Sequence, residues 1–346
     1  MEDSIKTITQ IKKEMGDKLV ILGHHYQSDD IINFTDIRGD SLELARQIGQ
    51  LDAEHIVFCG VYFMAESAAI LRRQNQKIHI PDTSATCPMA DMAEANRVEK
   101  TLEILQKNGR KVIPLTYVNS SAAVKGVVGR YDGSVCTSAN AKTMLEWALK
   151  QGDAVLFLPD KQLARNTANL LEIPKSKRLV LSEGVIEGDP ELHIDPSTAE
   201  DKQLIVWPGY CPIHQDFTLD SIKTIRENEP EAKIVVHPEC GQEVVKASDG
   251  NGSTTFLIKY ANEAPAGSTV YIGTETNLVN RLASQHKETK VIKPLAVSLC
   301  EDMGKITVDN LAALLKDIDN STPVDVDEEI KKTARIALER MLKVCA

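Results

Sequence analysis

Three cysteines stand at matching places along the chain. Cys87 closes KIHIPDTSATC, Cys211 closes QLIVWPGYC and Cys300 closes PLAVSLC, each after an apolar run with the make-up of a strand. Cys59, Cys136, Cys240 and Cys345 share no such position. The seven cysteines are odd in number and include no CxxC pair, so neither a disulfide framework nor a standard structural zinc site is signalled. Taken singly, each reads as a small buried apolar residue. Taken together, three thiolates converging from three units suit an iron–sulfur cluster, for which sulfur ligands are favoured. Three protein ligands would leave one iron of a [4Fe-4S] cluster, one per chain, open to act as a Lewis acid on a substrate oxygen.

A second set of residues recurs with the same rhythm. GHHYQ carries His24 and Tyr26, TYVNS carries Tyr117 and Asn119, and HPEC carries His237 and Glu239. A spacing of two in an extended segment puts both members of each pair on one side. Imidazole, phenol and carboxylate are the groups that move protons around a carbonyl. Any one of them alone reads equally well as a packed or hydrogen-bonded residue. Three equivalent positions that are all polar shift the balance toward function. His25 should point away from His24. Ser41, Ser138, Ser253 and Thr254 sit at helix starts, where hydroxyls and free N–H groups bind anions or simply cap the helix. His214, three residues after Cys211, reads as lining the site or orienting that loop. Lys125 and Arg130 read as an entrance to the site or, more commonly for such residues, as solvated surface. Glu66 and Glu275 begin helices, where pairing with the helix dipole accounts for them.

The elements that would position these groups are legible as apolar, β-branched runs between helical patterns: KLVILG, HIVFCG, KIHIP, KVIPLTY, AVLFL, QLIVW, KIVVH, TVYIG and PLAVSL. Continuous apolar strands alternating with helices argue for parallel sheets covered on both faces, hence an α/β fold. The strands repeat in sets of three over residues 19–87, 112–211 and 234–300, and the middle set carries an insertion at about 172–202. The expectation is three pseudo-threefold-related three-layer α/β/α domains with parallel sheets. They span 1–90, 91–211 and 212–300, with the 301–346 segment packing on the outside of the first and an amphipathic helix at about 326–342. Ligands of open parallel sheets sit beyond the carboxyl ends of the strands, which places the active site at the common centre.

Composition bounds the partners. The chain has 346 residues, 42% hydrophobic, with a net charge of −10 and a pI near 5.4. No basic face suggests nucleic acid, and no apolar run approaches the roughly 20 residues that span a bilayer. The N-terminal MEDSIKTITQIKKEM is amphipathic and charged, without the apolar region of a signal peptide, so a cytoplasmic protein is expected.

These motifs together resemble one family. GHHYQ, GDSLELAR, GVYFMAES, TCPMADM, TYVNSSAAVK, CTSANA, WPGYCPIH, HPEC, the GST turn, GTE and LCEDMGKIT run in the order found in quinolinate synthases, from about residue 19 to 307. The resemblance implies three α/β domains around a [4Fe-4S] cluster held by Cys87, Cys211 and Cys300. It implies substrate and product binding by His24, Ser41, Tyr117, Asn119, Ser138, His237, Ser253 and Thr254. The reaction implied is condensation of iminoaspartate with dihydroxyacetone phosphate to quinolinate, phosphate and water in NAD biosynthesis, in a monomer or homodimer, with an aspartate oxidase as candidate supplier. Tyr26, Glu239 and His237 are the expected proton-handling residues. The rivals are another three-cysteine cluster enzyme, such as the isoprenoid-pathway reductase or the diphthamide-forming enzyme, and a small-ligand binder without chemistry. HPEC, TYVNSSAAVK and CPMADM point away from the former. A radical enzyme using S-adenosylmethionine is disfavoured by the missing CxxxCxxC.

Overall fold

The computed structural model describes residues 2–345. Its strands pair in three parallel sheets. The first joins β1 (Leu19–His24), β2 (Ile37–Gly39), β3 (His55–Cys59) and β4 (Lys77–His79) in the order β2-β1-β3-β4. The second joins β5 (Val112–Tyr117), β6 (Ser134–Cys136), β7 (Ala154–Leu158), β8 (Arg178–Val180) and β9 (Leu204–Val206) in the order β6-β5-β7-β9-β8. The third joins β10 (Lys233–Val236), β11 (Gly250–Asn251), β12 (Thr269–Gly273) and β13 (Val291–Pro294) in the order β11-β10-β12-β13.

One plan underlies all three sheets. The long first strand lies between a very short second strand and the third, and the last strand follows on the far side. The 172–202 stretch supplies β8 as an extra edge strand, then the short helices Gly184–Glu187, Pro190–His193 and Pro196–Ala199. One strand expectation is corrected. After Pro294 the PLAVSL run is irregular, and VIKP is the strand that pairs with β12. The apolar residues of that segment do not cover a sheet: Val297 is 73% and Leu299 54% exposed.

Burial follows the alternation expected of a covered sheet. Ile234 and Val236 belong to one core and Val235, Val270 and Ile272 to another, on opposite faces of the third sheet. The first two sheets share one larger core, which also takes in Ala334, Ala337, Leu338 and Met341 of the C-terminal helix Glu328–Val344. That helix packs on Ala122–Arg130. It approaches so closely that a Cβ at Gly129 would overlap the Thr333 carbonyl.

The third sheet meets the others across polar contacts. Arg281 pairs with Asp29 at 2.6 Å and donates to Gln27 O at 3.1 Å. Thr255 donates to Asp40 at 2.8 Å, and Asn166 Nδ2 donates to Pro238 O and Cys240 O, both at 2.9 Å. No helix among the described residues is long and apolar enough to cross a membrane.

Candidate active site

The carboxyl ends of the three sheets open on one cleft with about 650 Å³ of empty space. The first sheet and its following segments supply His24, Tyr26, Ser41 and Cys87; the second supplies Tyr117, Asn119, Ser138 and Cys211; the third supplies His237, Glu239, Thr254 and Cys300. The structure therefore brings together every residue expected from the sequence except Ser253. Ser253 caps the helix Thr254–Glu263, accepting from Phe256 N at 3.3 Å, and leaves Thr254 to face the cleft.

The other two hydroxyls are not caps. The helix Ser41–Ile48 is preceded by Asp40, which accepts from Glu43 N at 3.0 Å, and Asn140 precedes Ala141–Leu149. Ser41 and Ser138 are thereby left at the cleft wall, and Ser138 bonds the Tyr117 phenol. The spacing of two holds as well. The His24 and Tyr26 rings meet edge to face with centroids 4.6 Å apart, and His237 and Glu239 touch at 3.2 Å. His25 is absent from the cleft wall and lies 3.8 Å from Glu43 instead.

Glu239 is the electrostatic centre. Its Oε2 lies 2.8 Å from His214 Nδ1 and 3.2 Å from His237 Nδ1, and the two imidazoles stack with centroids 4.6 Å apart and planes 19° from parallel. Burial opposes charge on this carboxyl, but His237 and His214 outweigh it and hold it below the usual carboxylate range. Its Oε1 is buried with no partner. Burial, then His25 and His237, push His24 down to about 3, so it is neutral. His24 Nδ1 accepts from Tyr26 N at 3.2 Å, which places the ring proton on Nε2. Burial and then Glu239 raise the phenols of Tyr26 and Tyr117, which stay protonated.

The three cysteines are free thiols. Burial pushes Cys87 up to about 12 and raises Cys211 and Cys300. Cys300 further raises Cys87, and Glu239, Cys87, Asp160 and Cys300 further raise Cys211, so the thiols sense one another. A thiolate in such surroundings needs a cation beside it, which a metal supplies. Cys211, His214 and Glu239 also have ligand atoms within 4.8 Å of one another, a group able to hold a metal ion. Each cysteine loop is stitched to the start of the helix after the third strand by an equivalent bond. Tyr62 N donates to Ala85 O at 2.7 Å, Lys161 N to Gly209 O at 2.8 Å and Thr276 N to Ser298 O at 2.9 Å, in every case to the carbonyl two residues before the cysteine.

Thr274 and Asp160 were not singled out by sequence, and three residues that were take other or fuller roles. Thr274 bonds Tyr26 OH at 2.7 Å and lies 3.4 Å from His214 Nε2. Asp160 and Glu275 are fully buried beside the cysteine loops. Glu275 does cap a helix, Thr276–His286, as expected; Glu66 instead lies within Tyr62–Leu71 and accepts from Ala122 N at 3.0 Å, the start of another helix. Lys125 corrects its surface reading. It is fully buried, donates to Val118 O at 2.9 Å and also to Ser120 O, and lies 5.5 Å from the centroid of the Phe63 ring.

Fold and site define a three-sheet α/β protein whose sheets open on one cleft lined by three cysteines, imidazoles, phenols and a buried carboxylate. The family model described as quinolinate synthetase A protein matches residues 6–343, and the chain belongs to that family. It is 43% identical to a quinolinate synthase of Lysinibacillus sphaericus, covering 97% of this chain and 92% of that protein. It is also 43% identical to one of Streptomyces coelicolor, covering 98% and 88%. Among solved structures, the E-1-hydroxy-2-methyl-but-2-enyl-4-diphosphate reductase of Plasmodium falciparum superposes with a TM-score of 0.29 at 12% identity, over 87% of this chain and 81% of that one. A likeness that weak carries no argument.

Proposed function

We propose that the chain is a quinolinate synthase, condensing iminoaspartate with dihydroxyacetone phosphate to quinolinate, phosphate and two waters on a route to NAD. The observation that carries this reading is the convergence of Cys87, Cys211 and Cys300 with Glu239, His24 and Tyr26 on one cleft of a family member. The shared strand order and the equivalent bond before each cysteine support a pseudo-threefold arrangement of units at 1–90, 91–211 and 212–300.

The residues fit a [4Fe-4S] cluster. Three free thiols face one cleft, and soft sulfur is the ligand such clusters take. Cys87, Cys211 and Cys300 would hold it, and when bound it supplies a Lewis acid for dehydration. The polar groups around it have assignable work. His24 presents its Nε2 proton to a carboxylate or phosphate oxygen. The hydroxyls of Ser41, Ser138 and Thr254 and the Nδ2 of Asn119 are the donors that complete the anion sites, while Asn119 Oδ1, buried without a partner, is left to accept from a ligand N–H or O–H. Glu239, ionised and with Oε1 unpaired, takes protons as phosphate leaves and the ring closes. Tyr26, neutral and held by Thr274, donates one to a departing oxygen. His237 and His214 keep Glu239 charged. Enclosure keeps water from iminoaspartate, which hydrolyses readily.

The test is protein made anaerobically, reconstituted with iron and sulfide, and given dihydroxyacetone phosphate with iminoaspartate generated in place. Quinolinate measured by chromatography, lost on air exposure and in Cys211→Ala, is the expected result. A cluster-bearing protein that makes none would move the reading to another three-cysteine enzyme.

A further inference from the structure

Two buried carboxyl groups recur at one position of the repeat. Asp160 lies two residues beyond the end of β7 and Glu275 two residues beyond the end of β12. Both are fully buried. Asp160 Oδ1 accepts from Leu163 N at 2.5 Å, capping the helix Lys161–Leu170, while Oδ2 accepts from Cys211 N at 3.1 Å. Glu275 Oε2 accepts from Asn277 N at 2.8 Å and Leu278 N at 3.4 Å, capping Thr276–His286, Oε1 accepts from Asn277 Nδ2 at 3.0 Å, and the carboxyl lies close enough to the Cys300 backbone N–H for it to favour the charged form. The corresponding residue of the first unit is Val61, with no oxygen to offer Cys87.

Capping alone does not account for these side chains. Serine or threonine caps a helix about as well, without the cost of burying a carboxyl. What serine lacks is a second acceptor in a fixed plane, and that is what joining a helix start to a cysteine loop requires.

We propose that Asp160 and Glu275 are equivalent positioning residues, each fixing the backbone of one metal-binding cysteine with a carboxyl group that also holds the start of the neighbouring helix. Cys211 and Cys300 are thus tied by side chain and backbone, Cys87 by its loop alone. This rests on the reading that Cys87, Cys211 and Cys300 hold the cluster. Preorganised thiols close around metal with less reordering, so losing an anchor should loosen the cluster before it alters the fold.

Asp160→Asn and Glu275→Gln keep size and one carbonyl oxygen but turn an amide donor toward an N–H group that the carboxyl faces. Asp160→Ser keeps a cap that cannot reach Cys211 N, and serves if the amide variants do not fold. Thr307→Ala removes a capping box on Val308–Lys316, away from the cleft wall, as the control. Each protein is reconstituted anaerobically. Iron release to a ferrous chelator, the electron paramagnetic resonance line shape after reduction, and the unfolding midpoint are then measured.

The Asn, Gln and Ser variants should lose iron roughly 10–100-fold faster than wild type, with an altered line shape. Asp160→Glu should recover most of the difference, and Thr307→Ala should lower the unfolding midpoint without speeding iron loss. Release rates and line shapes unchanged in Asp160→Asn and Glu275→Gln, or accelerated equally in Thr307→Ala, would overturn the inference while the cluster reading stands. A wild-type protein that takes up no cluster would overturn both.

Discussion

His214 and His237 stack face to face with Glu239 Oε2 against the Nδ1 of each, at 2.8 and 3.2 Å. The three residues come from two segments more than 20 positions apart, and both rings act against burial to hold the carboxyl below the usual carboxylate range. Glu239→Gln keeps the shape and removes the charge. Turnover at saturating substrate should fall about 10²–10⁴-fold, the range for losing a positioned acid–base group, with iron content unchanged. A variant within a few-fold of wild type would remove Glu239 from proton transfer.

The cysteines divide into two classes. Cys87→Ala, Cys211→Ala and Cys300→Ala should each abolish the cluster's absorbance and quinolinate formation. Cys59 lies in β3 and Cys345 beyond the last helix, neither on the cleft wall. Their alanine variants should keep both, with a stability cost of about 1 kcal/mol at the buried Cys59. Full activity in any of the first three would undo the ligand assignment.

Much of this was legible in the sequence, for a physical reason. Strands such as AVLFL and KIVVH are buried on both faces and so carry unbroken apolar runs, and strand-end polar pairs inherit the period of two. The edge strands β2, β6 and β11 have two or three residues and no such signature. PLAVSL reads as a strand because its composition suits one, but pairing is a property of the neighbour, and β12 pairs with VIKP. Lys125 was misread because lysines are seldom buried. Its burial follows from Val118 O and Ser120 O, carbonyls that the sequence does not reveal as acceptors. Asp160 carried a usable signal, an acidic residue just past an apolar run, but only the fold shows its second oxygen facing Cys211.

Lys125 holds the backbone on both sides of Asn119. Burial lowers its ammonium to about 8, partly offset by Glu66 and Cys87, so it remains mostly charged at neutral pH. Lys125→Met preserves the stem and removes the donors. The bared carbonyls should cost about 1–3 kcal/mol of stability, read by urea unfolding, and the loosened Asn119 should raise KM more than it lowers kcat. Unchanged stability would mean the carbonyls find water or other donors.

Gly129 sets the seat of the C-terminal helix. A methyl group there would meet the Thr333 backbone, which cannot rotate away as a side chain can. Gly129→Ala should cost at least about 1–3 kcal/mol and speed proteolysis within Glu328–Val344, whereas Gly109→Ala, with open space but a φ of +76°, should act only through its own turn. Equal proteolysis of the two variants would argue that the helix rides over the added methyl.

A buried imidazole pair supplies the pH dependence. His55 Nδ1 and His79 Nε2 lie 3.1 Å apart, with Ser321 Oγ 2.9 Å from His79 Nδ1 and Asp319 Oδ1 3.3 Å from His55 Nε2. Burial, then His55 and Lys77, lower His79 to about 4, with Asp319 opposing; burial also lowers His55, against Glu54 and Asp319. Between the ordinary histidine value near 6.5 and about 4, the unfolded chain binds a proton that folded His79 refuses. Stability from this group is therefore present above about 6.5, falls as pH drops through that window, and levels off below the folded value. His79→Gln removes the titration but also a bond to Ser321. Its deficit against wild type should be largest near pH 7.5 and shrink by pH 5, measured by urea unfolding at each pH. Parallel curves would show that His79 does not couple folding to protons.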